Sequence, residues 1–287
     1  MFPQKPILSI TIGLTSDIHT NFSPANRKIV NHLVDVAGVS GLDVLIICGD
    51  ISPDSMTFSR TLLAFHNIGD RCKKLFVAGN HDIWVINGNK NITSHEKYLL
   101  ITRLCEECGF HHLGDKPIVI DNIGFCGNIG WYDYSYKSDK FNISEDDYIS
   151  KIYGTSVWND VNYAKWNASD YQMAKYFEAN LKEQIDSIKD HVSNIIIATH
   201  HVPFRECVHY RNELPWDFFS AFMGSSGLGE ICLSELLVKY ALFGHSHIES
   251  YRKIKNLWAI CSPIGYLSDP PKDLRKYAQK RLRIIEI

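Results

Sequence analysis

Short apolar runs recur along the chain, each ending abruptly at residues able to bind metals or move protons, and most are followed by apolar positions spaced three and four apart. The first run, Ile7 to Leu14, is rich in β-branched residues and leads into Asp17-Ile18-His19. Period and composition predict a strand there. Ser23-Pro24 has the form of an N-cap followed by an N1 proline, and Ile29, Val30, Leu33 and Val36 then share a helical face until Gly38 stops it. Val44 to Cys48 predicts a second strand ending at Gly49-Asp50, with a helix over 54–68 that turns Phe58, Leu62 and Phe65 inward. Asp54 fits the N-cap of that helix. Lys74 to Ala78 predicts a third strand, which ends at Gly79-Asn80-His81-Asp82. A helix from about Ser94 follows, with Thr93 and Glu96 at capping-box spacing. The β-then-α rhythm predicts strands side by side in a layered α/β fold.

From Pro117 the pattern changes. Ile118–Ile120 and Ile123–Cys126, separated by Asp121-Asn122, predict a hairpin and so antiparallel strands. Between Gly130 and Trp166 aromatic residues crowd among Asp and Asn with no sustained period, which predicts a long, partly ordered insertion. Such a segment is expected to cover the site as a lid, its ring load being too heavy for simple disorder. A capped helix is predicted from Asp170 to about His191, and Ile195 to Thr199 predicts another strand, delivering His200-His201. A helix over Leu228 to Lys239 and a strand over Tyr240 to Phe243 are predicted next, the latter delivering Gly244-His245-Ser246-His247. Leu257–Cys261 and Arg281–Ile287 predict closing strands. No internal repeat or linker divides the sequence, so a single domain over 1–287 is expected.

Composition narrows the setting. The chain has 287 residues, 45% of them hydrophobic, enough for a large core. A net charge of −2 advertises neither nucleic acid nor an anionic membrane as partner. The opening residues read as a strand rather than a signal peptide, so a cytoplasmic protein is expected. The eight cysteines fall mostly within apolar patterns, as buried thiols would, and Cys105-x-x-Cys108 has no second pair with which to complete a zinc site. His32, His66 and His95 sit in helical patterns, and His111 and His112 follow a helix stop where only a peripheral role is expected.

Collected, the strand-end residues are Asp17, His19, Asp50, Asn80, His81, Asp82, His200, His201, His245 and His247. Carboxylates, imidazoles and an amide oxygen, without thiolates, suit divalent or trivalent Mn, Fe, Co or Zn. Residues i and i+2 leaving a strand end can turn to one side, so D-x-H and H-x-H pairs can bind one ion or reach two. Seven plausible ligands exceed what one ion takes. The order D-x-H, G-D, G-N-H-D, H, G-H-x-H, from Asp17 to His247, resembles the calcineurin-like metallophosphoesterase superfamily. The resemblance implies an α/β fold, a four-layer αββα sandwich of two mixed sheets flanked by helices. It also implies that Asp17, His19 and His247 hold one metal, that Asn80, His200 and His245 hold the other, and that Asp50 bridges them. His81 would be the catalytic imidazole and Asp82 the acid that orients it.

Two adjacent cations make a bridging hydroxide near neutral pH and neutralise phosphoryl oxygens for in-line attack, while a neighbouring His can supply a proton to the leaving alkoxide. The expected activity is therefore hydrolysis of a phosphodiester or phosphomonoester, small or nucleotide-like. The alternatives are a nuclease of the same superfamily or a non-catalytic interaction scaffold on the same fold. Gly49-Asp50 is followed by Ile51-Ser52-Pro53-Asp54, without the arginine of the serine/threonine protein phosphatase motif, so that activity is not expected. His201 and Arg205, together with His209 and Arg211 of the same loop, are the candidate substrate contacts by position and charge.

Overall fold

Five-residue strands buried at nearly every position form the centre of the molecule, as expected where both faces of a sheet are covered. The computed structural model describes residues 9–86 and 92–287. Ile7 and Leu8 of the first predicted strand lie outside them. Strand β1 (Thr11–Thr15) leads to helix α1 (Pro24–Val39), whose N-cap Ser23 accepts from the Asn26 N–H. Then follow β2 (Val44–Cys48), α2 (Ser55–Ala64) capped by Asp54, β3 (Lys73–Val77), α3 (Ser94–Glu107) with the Thr93–Glu96 capping box, and β4 (His111–His112). The two histidines expected at the periphery thus pair with β3, and His112 is buried with Nδ1 2.8 Å from Thr102 Oγ1.

The second half supplies β5 (Ile118–Ile120), β6 (Ile123–Asn128), α4 (Glu145–Ser150), β7 (Ile152–Tyr153), β8 (Ser156–Val157) and α5 (Asp160–Tyr163). After them come α6 (Asp170–Ile188), β9 (Asn194–Thr199), α7 (Trp216–Phe219), α8 (Ser226–Ser234), β10 (Val238–Phe243), β11 (Ser250–Ile254), β12 (Leu257–Cys261), α9 (Leu274–Arg281) and β13 (Arg283–Glu286). Asp121 and Asn122 at the β5–β6 turn both have positive φ, as a two-residue hairpin requires. The helix predicted over 228–239 ends at Ser234, because Val238 onward pairs in parallel with β9 and β12. An unbroken apolar run cannot mark where the period changes. Strand β11 and helix α9 escape the apolar pattern because each is mostly exposed.

The strands form two mixed sheets, ordered β13-β1-β2-β3-β4 and β11-β12-β10-β9-β6-β5. In the first, β1 to β4 are parallel and β13 antiparallel. In the second, β6, β9, β10 and β12 are parallel, with β5 and β11 antiparallel at the edges. Alternation splits each strand between two layers. Val44, Ile46 and Cys48 join Ile196, Ala198 and Leu242 between the sheets, whereas Leu45 and Ile47 face α1 and α2. Ile195, Ile197 and Phe243 pack outward with Leu181, Ile185 and Leu228 of α6 and α8. Each such buried aliphatic side chain contributes about 1.5–3 kcal/mol. The result is two mixed sheets flanked by helices, as expected. All eight cysteines are buried and free.

The aromatic region 130–166 is largely core. Trp131, Tyr132, Tyr134, Tyr136 and Tyr148 are almost fully buried: Trp131 stacks on Tyr132, Tyr148 stacks on Phe218, Tyr132 meets Phe222 edge-on, and the Tyr136 hydroxyl donates to the Ser225 carbonyl. Only a short piece around Val157–Asn159 reaches the cleft described below. Among the described residues no helix is long and apolar enough to cross a membrane.

Candidate metal centre

The carboxyl ends of β1, β2 and β3 in one sheet meet those of β9 and β10 in the other, so the predicted ligands converge at a single edge. The chain leaves those strands sharply. Asp17, His19, Asp50, His245 and His247 all have positive φ, between 47° and 67°, a conformation that L residues adopt at a cost and that clusters at functional sites. Close approach is also built in at Gly79, where a Cβ would stand 2.1 Å from Asp50 Oδ1.

Donor atoms form two groups on either side of Asp50. On one side, Asp17, His19, Asp50 and His247 each offer an atom within 4.8 Å of the others, with His19 Nε2 2.9 Å from His247 Nε2 and Asp17 Oδ1 3.4 Å from His247 Nε2. On the other, His200 Nε2 lies 3.1 Å from both Asn80 Oδ1 and His245 Nδ1. Asp50 turns Oδ2 toward His19 Nε2 at 3.6 Å and Oδ1 toward His200 Nε2 at 3.4 Å. The tautomers sharpen this geometry. His200 Nδ1 donates to the Cys48 carbonyl at 2.8 Å and His245 Nε2 to the Phe222 carbonyl at 3.0 Å, so in the neutral rings the two nitrogens facing each other carry lone pairs only. Nitrogens sharing one cation at about 2.0–2.1 Å, about 90–110° apart, are separated by about 2.9–3.4 Å. The residues fit metal ions.

Without a cation, charge is balanced among the same groups. Burial opposes the charge on His200, but the Asp50 carboxylate outweighs it and pushes the imidazole up to about 9. Burial and the neighbouring His200 bring His245 down to about 3. Burial would raise Asp50, yet His200, His81 and His19 hold it well below the usual carboxylate range.

His81 lies flat on Trp84, ring centroids 3.6 Å apart, with Nε2 3.9 Å from Asp50 Oδ2 and 3.2 Å from the Tyr266 hydroxyl. Asp82, expected to orient His81, has other partners. Its carboxylate accepts the backbone N–H groups of Gly79, Asp50, Ile51 and Ser52 at 2.8–2.9 Å, tying the β2 and β3 loops together. The group that fixes Asn80 is Asp160, buried in the aromatic region. Its Oδ1 accepts from Asn80 Nδ2 at 3.0 Å and Trp84 Nε1 at 2.6 Å, and its Oδ2 accepts from Trp158 Nε1 at 2.8 Å and the Tyr132 hydroxyl at 3.1 Å. The Asn80 oxygen is thereby left facing His200. Nothing in the local pattern around Asp160 or Tyr266 marks either residue.

The two expected substrate contacts lie elsewhere. His201 is fully buried against Trp131 and His245, with Nδ1 3.0 Å from the Ile129 carbonyl, because successive residues at a strand end point to opposite sides. Arg205 is taken up by the carbonyls of Ser135 and Lys137 and by Asp139 at 2.6 Å. Arg211 stacks on Trp216, 3.5 Å from its ring centre, while His209 does line the cleft. That cleft is a cavity of about 650 Å³ over His19, Asp50, Asn80, His81, His245 and His247. Phe22, Trp84, Trp158, Trp216, Phe219 and Tyr266 supply its aromatic lining.

None of the curated proteins matches this sequence. Among solved structures, the chain is similar to a phosphopantetheinyl hydrolase from Mycobacterium tuberculosis, with a TM-score of 0.72, 18% identity and 96% of each chain covered. It is also similar to a dimetal phosphatase from Danio rerio, with a TM-score of 0.51, 17% identity, and 91% of this chain and 89% of that one covered. At those identities the likeness speaks to fold. The sequence itself matches the model of the calcineurin-like phosphoesterases from residue 10 to residue 249, a span that holds every strand end converging on the cleft, and the chain belongs to that family.

Proposed function

We propose that this protein is a dinuclear-metal-dependent hydrolase of small phosphate esters. Asp17, His19 and His247 would hold one cation and Asn80, His200 and His245 the second, with the Asp50 carboxylate, turned toward both groups, available to each. The observation that carries this reading is the pair of close nitrogen contacts, His19 to His247 at 2.9 Å and His200 to His245 at 3.1 Å, flanking one carboxylate. A donor set of nitrogens and oxygens suits Mn, Fe, Co or Zn. Two such cations, when bound, make water acidic enough to ionise near neutral pH and neutralise phosphoryl oxygens.

The chain's own residues complete the chemistry. His81 holds a proton at Nε2 beside the cleft and passes it to the departing alkoxide, while Trp84 beneath the ring and the Tyr266 hydroxyl at its edge keep it aimed. The Asp82 cradle fixes the loop that carries Asn80 and His81. Asp50→Asn should abolish hydrolysis and bring bound metal below two ions per chain, because one carboxylate serves both halves. The checks are elemental analysis of protein reconstituted with Mn, Fe, Co or Zn, and rates on generic mono- and diesters. Full activity with two ions bound in Asp50→Asn would refute the assignment. A wild-type protein that binds metals but hydrolyses none of the esters would point to an interaction scaffold instead.

A further inference from the structure

The cleft has two apolar flanks, one beside each half of the metal centre. On the His19 side stand Phe22 and Tyr266, their rings 4.5 Å apart, with Tyr266 4.4 Å from the His19 ring and 4.6 Å from the His247 ring. Both rings are exposed, at 45% and 44%. On the His245 side stands Trp158, 5.6 Å from the His245 ring, 5.9 Å from Phe219 and nearly parallel to Phe222 at 5.3 Å, with Trp216 beyond. Asp160 pins the Trp158 indole from behind, so this flank is preformed. A phosphomonoester has one alcohol and would cover one flank. The other would keep aromatic surface in water next to a bound phosphoryl group, whereas such surface normally marks a site of contact.

We infer that the substrate is a phosphodiester with an apolar or aromatic group on each ester oxygen, one against Phe22 and Tyr266 and the other against Trp158 and Phe219. This rests on the phosphoesterase reading above and deepens it. His81 Nε2 is 3.2 Å from the Tyr266 hydroxyl, so the alcohol on the Phe22–Tyr266 flank is the one that leaves. Water adds its oxygen to phosphorus, the bond from phosphorus to that alcohol's oxygen breaks, and the alcohol takes a proton from His81. One of the water's two protons restores His81, and the other stays on the new phosphate oxygen until it passes to solvent. The products are one alcohol and a monoester still seated against Trp158 and Phe219.

The test compares three p-nitrophenyl esters on metal-loaded protein: the phenyl diester, the methyl diester and the monoester. The expected order of kcat/KM is phenyl diester, methyl diester, monoester, with the phenyl compound about tenfold or more above the methyl one, as apolar subsites discriminate. Bis(p-nitrophenyl) phosphate should release one equivalent of nitrophenol and stop at the monoester. Phe219→Ala and, as a second variant, Trp216→Ala should each reduce the phenyl-to-methyl ratio severalfold, with metal content and melting temperature reporting on folding. A preference for the monoester would overturn this inference alone, as would an unchanged ratio in a folded, metal-loaded variant. Hydrolysis of none of the three would overturn the phosphoesterase reading and this inference with it.

Discussion

His81 is held from two directions, by the Trp84 face and by the Tyr266 hydroxyl, and it stands 3.9 Å from Asp50 Oδ2, outside the close cluster of Asp17, His19, Asp50 and His247. His81→Ala should therefore keep two metals and lose about 10²–10⁴ in kcat on esters of basic alcohols, with a smaller loss on p-nitrophenyl esters, whose leaving group needs no proton. Plotting log kcat against leaving-group pKa for both proteins checks this, and parallel lines would rule out the acid role. At this scale the sequence was informative where chemistry is contiguous. Asp17-Ile18-His19 and His245-Ser246-His247 announce themselves because the spacing that aims two side chains together is also visible in one dimension. Direction is harder to read. His200 and His201 are neighbours, yet one faces Asn80 and the other packs under Trp131, and a run of two histidines carries no sign of which is which. Asp82 shows the same ambiguity, since a buried carboxylate beside an imidazole can serve the ring or the backbone, and here four N–H groups claim it.

Among the elements, the aromatic region 130–166 departs furthest from its expected character as a cover. It has little period because its rings face several layers at once, with Tyr136 reaching the α8 side, Trp131 the α6 side and Trp158 the cleft. Replacing the whole segment would remove core, so its contribution to the site is better isolated at Asp160. Asp160→Asn keeps the volume but turns an N–H₂ group toward donors from Asn80, Trp84, Trp158 or Tyr132, freeing the Asn80 amide to rotate. Metal affinity in the Asn80 half should fall by about 10–100-fold while the His19 half is kept, the usual size of such outer-sphere effects. Competition titration with a chelator measures it, and two sites of unchanged affinity would show that Asn80 needs no such support. No local pattern identifies Asp160, because its four partners come from residues 80, 84, 132 and 158. Only the folded chain brings them together.

For the whole molecule, the βα rhythm of the first half and the hairpin at 121–122 made the mixed, layered sheets legible, since both rest on local rules of period and turn chemistry. The split into two sheets was not legible that way: β6, β9, β10 and β12 alternate with other elements much as β1 to β4 do, and pairing partners are set by long-range burial. That split matters beyond architecture. Asp17, His19, Asp50 and Asn80 hang from one sheet and His200, His245 and His247 from the other, so each half of the centre draws on both. A cation seated in either half would then be a clasp across the seam of the sandwich, joining two slabs whose interior contact is otherwise apolar. Stripping the ions should loosen the seam along with the chemistry. At free metal about 100 times its dissociation constant, each clasp is worth about 2.7 kcal/mol, so chelation should lower the melting temperature by roughly 5–10 °C per site and return it on re-addition. Calorimetry with and without chelator reads this directly, and a transition indifferent to metal would mean that the sheets hold each other without the ions.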